Sequence, residues 1–294
     1  MQRLPHLGTT AIAAPLRRAA ASVVPEPIAR LTDRRRLAVV PLRGVIGGQL
    51  HARDATRLLD RLREDVHTRG VLLDVDSPGG GAVESEAIYL SVKRLAAAKP
   101  VVAYLRGTGA SGAYFLACGA QRILAFPSAI VGSIGVISVR PVLVDALRRI
   151  GAAVLVTKTG PFKDLGAPWR EPTEADRAKD QSLVDAVFRR FRDTVAAERH
   201  LDGADLERVT TGEVWLADEA VKLGLVDAVC EPDDALDEAL RLAGDLSRQQ
   251  VRRHDRRRTV AQRMGLPGAG MGPPSARWLV EMEAWLRSSR PLLL

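Results

Sequence analysis

From Leu37 onward, short apolar runs alternate with segments whose apolar residues recur at helical spacing, and glycines stand where one kind gives way to the other. Leu37–Leu42, Val71–Val75, Val101–Leu105 and Ile123–Phe126 read as buried strands. Between them, residues 52–66 carry Ala55, Leu58, Leu59, Leu62 and Val66, and residues 82–97 carry Val83, Ile88, Leu90 and Leu95, both near a 3.6-residue period. Strands separated by helices, with continuous apolar strand cores, build βαβ units and a largely parallel sheet. The same pattern predicts a helix from Ser111 to about Gly119, a strand at Ile130–Val139, a helix at 141–150 and a strand at 153–157. A long helix at Asp176–Glu198, a segment at Ala217–Leu223, a strand at Leu225–Val229 and a helix at 233–246 complete the body.

Charge divides the chain into three parts. The total is +8, but residues 1–36 carry +5 and residues 248–294 carry +7, which leaves 37–247 near −4. The expected organisation is therefore a basic, flexible or amphipathic segment at 1–36, one α/β domain at 37–247, and a basic linker with an amphipathic tail at 248–294. Such ends suit an anionic membrane surface, or are simply solvated. No aromatic residues interleave with the basic runs, which argues against single-stranded nucleic acid as a partner. No stretch reaches the ~18 apolar residues of a membrane span, and no secretory signal is evident. The expected location is cytoplasmic, or peripheral at the cytoplasmic membrane. Cys118 and Cys230 are too few for a disulfide framework and read as buried structural thiols. No histidine or cysteine cluster has metal-ligand spacing, so neither metal nor cofactor is expected.

Two glycine-bearing turns follow successive strands. Asp76-Ser-Pro-Gly-Gly-Gly81 can free backbone N–H groups toward an anion or a polarised carbonyl, although Pro-Gly-Gly also makes an ordinary strand-to-helix turn. Gly107-Thr-Gly-Ala-Ser-Gly-Ala-Tyr114 puts Ser111 at a helix start, where serine is a common N-cap and where N–H groups would also favour an oxyanion. If the two turns face each other, the N–H groups of Gly79 and Gly112 could hold a carbonyl oxygen while the Ser111 hydroxyl attacks its carbon.

A serine nucleophile needs a base. His6, His51, His67, His200 and His254 all lie outside the glycine-marked segments, whereas Lys163 follows Ser111 by 52 residues in Gly160-Pro-Phe-Lys-Asp-Leu-Gly166. It is one of six lysines against 37 arginines, and lysine, unlike arginine, can lose its proton. A free lysine is neutral in roughly one molecule in 2,500 at pH 7, a fraction that apolar surroundings raise. Pro161, Phe162, Leu165 and Pro168 supply such surroundings; Asp164 is the complication, because a carboxylate partner would keep Lys163 protonated.

These residues resemble a family. Ser77-Pro-Gly-Gly-Gly81, Gly109-Ala-Ser-Gly-Ala-Tyr114, Val131-Gly-Ser-Ile-Gly-Val136 and Gly160-Pro-Phe-Lys-Asp-Leu-Gly166 stand in the order and spacing of the bacterial signal peptide peptidase family. Gly212-Glu-Val-Trp215, Ala220 and Leu223-Gly-Leu-Val-Asp227 are similar to the motif closing that domain. The resemblance covers about 37–240. It implies a Clp-protease/crotonase-like α/β fold of repeated ββα/βαβ units and an ATP-independent serine endopeptidase. Ser111 would be the nucleophile, Lys163 the general base, Ser133 the serine steering the lysine, and Gly79 and Gly112 the oxyanion hole. It further implies a homo-oligomer in which neighbouring subunits share the dyad, and peptide substrates such as remnant signal peptides. Members are usually tethered by an N-terminal transmembrane helix, which is not expected from these residues, and Ala113 stands where a second glycine is frequent. The tail 248–294 would serve as a surface anchor, or its apolar end Pro291–Leu294 would lie in the protein's own cleft. A crotonase-type acyl-CoA enzyme and a non-catalytic membrane-partner scaffold of the same fold are the rival readings.

Overall fold

The computed structural model describes residues 34–254. Expectations for 1–33 and 255–294, including those for the basic ends and for Pro291–Leu294, lie outside the described residues. The elements in order are β1 (Arg36–Arg43), α1 (Ala52–Glu64), β2 (Thr68–Ser77), α2 (Ala82–Ala96), β3 (Val101–Ala110), α3 (Gly112–Ala117), β4 (Arg122–Ala125) and β5 (Ile130–Gly132). They continue with α4 (Val144–Arg149), α5 (Glu174–Arg199), α6 (Gly203–Val209), β6 (Val214–Leu216), α7 (Ala217–Lys222), β7 (Ala228–Val229), α8 (Pro232–Leu242) and β8 (Val251–Arg253).

The strands form one sheet in the order β6-β5-β3-β2-β1-β8, and every pairing is parallel except β5 with β6. The sheet forks at β3. Residues 102–105 of that strand pair with β4, which leads on to β7, while residues 108–110 pair with β5. This is the α/β, largely parallel architecture that the sequence implied.

Alternation along the central strands feeds two cores. Ala38, Val40, Val71, Leu73, Val101 and Ala103 join one cluster with residues of α1, α2 and α3. Leu37, Val39, Leu72, Val102 and Tyr104 join a second with Ala235, Leu236, Ala239 and Leu240 of α8. A strand buried on both faces reads as an unbroken apolar run, which is why these strands stand out in the sequence. β1 ends its outer pairing early: the His254 N–H donates to Val39 O at 2.8 Å, and two residues on Pro41 has no N–H to offer.

The structure departs from the expected pattern in four places, the first being the strand expected at Leu225–Val229, which is reduced to Ala228–Val229. The strand expected over Ile130–Val139 stops at Gly132, because its partner β3 ends at Ala110 and Ser133 turns to φ 51°. No strand forms at 153–157; the described residues offer that stretch no partner, and Leu155 is 95% exposed. Val251–Arg253, inside the stretch read as a linker, pairs with β1 through Leu37–Val39. The short elements α6 and β6 carry too little periodicity to be seen in the sequence.

Candidate active site

β2 delivers Ser77 to the sheet's C-terminal edge, where it is fully buried and its Oγ accepts the Gly79 N–H at 3.1 Å. Gly79 and Gly80 then take φ values of +97° and +151°, a region that favours glycine. At Gly80 a Cβ would sit 2.1 Å from Ile46 O. The loop after β1 binds this turn through Ile46 N–H to Gly79 O (2.8 Å) and Gly81 N–H to Ile46 O (3.0 Å), a bridge that leaves the Gly80 amide unused. The turn also touches the serine turn: a Cβ on Gly79 would lie 2.7 Å from Gly112 N and 2.8 Å from Ser111 Cβ. The two glycine turns read from the sequence are thus adjacent in space.

Ser111 follows β3 with φ 53° and ψ −125°, a conformation that costs a non-glycine residue roughly 1–3 kcal/mol. Its N–H donates to Gly132 O at 2.8 Å, and its carbonyl accepts the Phe115 N–H at 2.9 Å. Its side chain makes no capping hydrogen bond. The N-cap explanation for a serine here therefore fails, since a capping serine sits in extended backbone and uses its hydroxyl. The helix it precedes has six residues, all buried, too few for a full macrodipole. What remains near the hydroxyl is the Gly112 N–H itself.

Ser111 and Gly112 stand on the wall of a cleft of about 660 Å³ whose apolar lining includes Val45, Ile46, Ile137, Val187 and Phe191. Phe115 stacks on Tyr89, ring centroids 5.1 Å apart, and meets Phe191 at a tilt, centroids 4.9 Å apart, so that wall is aromatic and well packed. Glu86 and Arg190 pair at the rim. A hollow of about 880 Å³ between α1 and the outer edge of β1 contains none of the expected site residues.

Ser133 comes next after the residue whose carbonyl binds the Ser111 N–H. It is half-buried at φ 51°, and its N–H donates to Glu213 O at 2.6 Å. Trp215 packs against Gly132 so closely that a Cβ there would be 2.6 Å from the indole. The structure thus gathers Ser111, Gly112, Gly79 and Ser133. It does not bring Lys163 to them within one chain: Lys163 is exposed and does not line the cleft. The described histidines His51, His67, His200 and His254 do not line it either, and His200 is the left-handed C-cap of α5.

The model of peptidase family S49 matches residues 93–245. Over 215 residues the chain is 33% identical to a protein of Synechocystis named as a protease, covering 73% of this chain and 77% of that one. This chain belongs to peptidase family S49. The S49 match takes in Ser111, Ser133 and Lys163 and begins after Gly79. A protein of Methanocaldococcus jannaschii, also named as a protease, is 38% identical over 65% of this chain and 62% of its own length. One of Enterococcus faecium named as a signal peptide peptidase is 34% identical over 61% of this chain and 52% of its own. The chain thus spans between half and two thirds of these last two relatives. The solved structure of a membrane-bound stomatin-specific protease overlays with a TM-score of 0.49 at 16% identity, over 76% of this chain and 98% of that one. Among the described residues, no helix is long and apolar enough to cross a membrane.

Two features of these candidate residues were not legible in the sequence. The Gly79 N–H, read as an oxyanion donor, is engaged by Ser77, and the amide left over in that turn belongs to Gly80. The Asp164 carboxylate, read as a complication for Lys163, is taken by Lys158 and Arg170. Runs of glycine do not reveal which N–H is spoken for, and ion pairs formed across a loop leave no periodic signal.

Proposed function

We propose that the chain is an ATP-independent serine endopeptidase with Ser111 as nucleophile and Lys163 as general base. The observation that carries this reading is the strained, uncapped Ser111 beside the Gly112 amide, at the wall of an apolar cleft. Lys163 Nζ takes the Ser111 Oγ proton as Oγ attacks the peptide carbonyl carbon, and then gives it to the leaving amine. Lys163 Nζ then takes a proton from water as the water oxygen attacks the acyl-enzyme, and returns it to Ser111 Oγ as the acid product leaves. Gly112 N–H supplies one oxyanion donor; the Gly79–Gly80 turn supplies the other, with Gly80 favoured because Ser77 occupies the Gly79 N–H. Ser133 orients the lysine.

We assign the lysine to a neighbouring copy of the chain. Lys163 lies on an arm whose apolar residues lack cover: Ile137 and Ile150 are 82% and 76% exposed, and Val154, Leu155, Val156 and Phe162 are also exposed. A contiguous stretch of this kind marks an interaction surface, and docking it on a second subunit would carry Lys163 to that subunit's Ser111. The apolar cleft suits unfolded peptides with small or apolar residues at the cleavage point, and the relative named as a signal peptide peptidase supports remnant signal peptides as one such class. Basic ends at 1–36 and 248–294 would keep the enzyme near anionic lipid.

The test is labelling with a serine-reactive fluorophosphonate, mapped by peptide, beside casein digestion by wild type, Ser111→Ala and Lys163→Ala. Labelling of Ser111 and loss of activity in both variants are expected. Mixing the two inactive variants should recover partial activity through mixed interfaces. Activity retained in both variants, or turnover of an enoyl-CoA, would remove the protease reading.

A further inference from the structure

The residue after the proposed base is a carboxylate, and the chain keeps that carboxylate fully occupied. Lys158 Nζ lies 2.6 Å from Asp164 Oδ1, and Arg170 grips both oxygens, with Nη2 and Nε each at 2.9 Å. The Asp164 side chain is only 8% exposed, so these partners replace most of its water. Arg170 is itself anchored. Its Nη2 reaches Asp176 Oδ1 at 3.1 Å, and Asp176 forms the capping box of α5 with Thr173. Lys158 also donates to Pro161 O at 3.0 Å, which closes the turn carrying Lys163. Lys163 itself makes no ion pair among the described residues.

We infer that Lys158 and Arg170 are positioning residues that hold Asp164 away from Lys163 and so keep the amine free to lose its proton. The inference deepens the proposed function and rests on Lys163 being the base. An unengaged carboxylate on the adjacent residue would favour the ammonium form, the form that cannot accept a proton from serine. The hydrogen bonds from Arg170 and then Lys158 hold the Asp164 carboxyl well below its usual range, so it remains an anion in need of cations at any working pH. The other charged groups of this segment are Arg140, which packs against Gly166 and pairs with Asp180, Glu171, whose carbonyl accepts from Arg170, Glu174 in the first turn of α5, and Arg177.

The test follows the rate of fluorophosphonate labelling at Ser111, and kcat/KM on a peptide, against pH. In Lys158→Gln/Arg170→Gln, the freed Asp164 should pair with Lys163 and move the base limb of both profiles up by about one pH unit, roughly tenfold in rate at pH 7. Adding Asp164→Asn should bring the limb most of the way back, which no loosening of the fold could do. Asp176→Asn, which undoes the α5 anchor but leaves Asp164 held, should leave the limb in place. Should the double variant not fold, Lys158→Gln alone, at a side chain one third exposed, should move the limb the same way by less. A limb that stays put in the double or single variant, or that Asp164→Asn does not restore, overturns the inference while the base role of Lys163 stands. Activity retained in Lys163→Ala would instead overturn the function on which the inference depends.

Discussion

Gly112→Ala is the most exacting perturbation the site offers. Gly112 is outside the positive-φ region, so alanine costs nothing in backbone conformation there. The difficulty is space: its Cβ would lie 2.1 Å from Ser85 Oγ and 2.9 Å from Ser85 Cβ. Ser85 is fully buried on α2, and its hydroxyl donates to Gly81 O at 2.8 Å. Rotating that hydroxyl away gives up a buried hydrogen bond, about 0.5–1.5 kcal/mol. Rotation leaves the Cβ contact untouched, so α2 and α3 must also separate, an overpacking cost of about 1–3 kcal/mol. Better helix propensity of alanine returns up to ~1 kcal/mol. The net expectation is a loss of about 0.5–4.5 kcal/mol in urea unfolding, measured at fixed protein concentration. The same displacement moves the Gly112 N–H away from the Ser111 hydroxyl, and labelling at Ser111 should fall by about 100-fold, the scale of one lost oxyanion donor. Ser85→Gly in the same background removes both close contacts and should restore labelling, despite its own helix cost of ~1 kcal/mol. Wild-type labelling in Gly112→Ala with less than ~0.5 kcal/mol lost, or no rescue by Ser85→Gly, would refute the reasoning.

Two further outcomes are expected. Asp65 accepts hydrogen bonds from Thr68 Oγ1, Arg36 and the His67 N–H, which hold its carboxyl well below the usual range. A depressed folded value means that its stabilisation is complete above the unfolded value near 3.9 and fades as pH falls below it. Asp65→Asn should therefore flatten the fall of the urea midpoint below about pH 4, and an unchanged slope there would count against that role. Burial pushes the Cys118 thiol up to about 12. In a Cys230→Ser background, Ellman's reagent at pH 8 should leave the native protein unmodified and react fully once denaturant is added; full reaction of the native protein would disprove it.

The parts of the fold that the sequence announced are those where one residue's neighbours along the chain decide its fate. Val71–Val75 and Val101–Leu105 are apolar on both faces because both faces are covered, and α1 and α2 show their buried stripe at helical spacing. The serine turn was equally visible, since small residues around Ser111 and glycines at 79–81 are what two close backbones require. The stretch 153–157 misled for the same reason. Its apolar residues suit a strand, but a strand is made by a partner, and the described residues provide none. Asp176–Glu198 showed an apolar stripe, yet of its apolar residues only Phe191 and Val195 are buried. Val184, Val187 and Phe188 are half-buried and Leu183 is exposed, differences that periodicity cannot distinguish from a covered face.

By itself, then, the sequence determined the class of architecture, the order of its units and the chemical candidates, because these depend on side-chain pattern and on which residues tolerate a tight turn. Only the tertiary structure decided which groups are already engaged. Ser77 takes the Gly79 N–H, Lys158 and Arg170 take Asp164, and the Ser111 hydroxyl makes no cap. A hydrogen bond or ion pair depends on distances of a few ångströms between residues brought together by folding, and composition and spacing along the chain do not encode them.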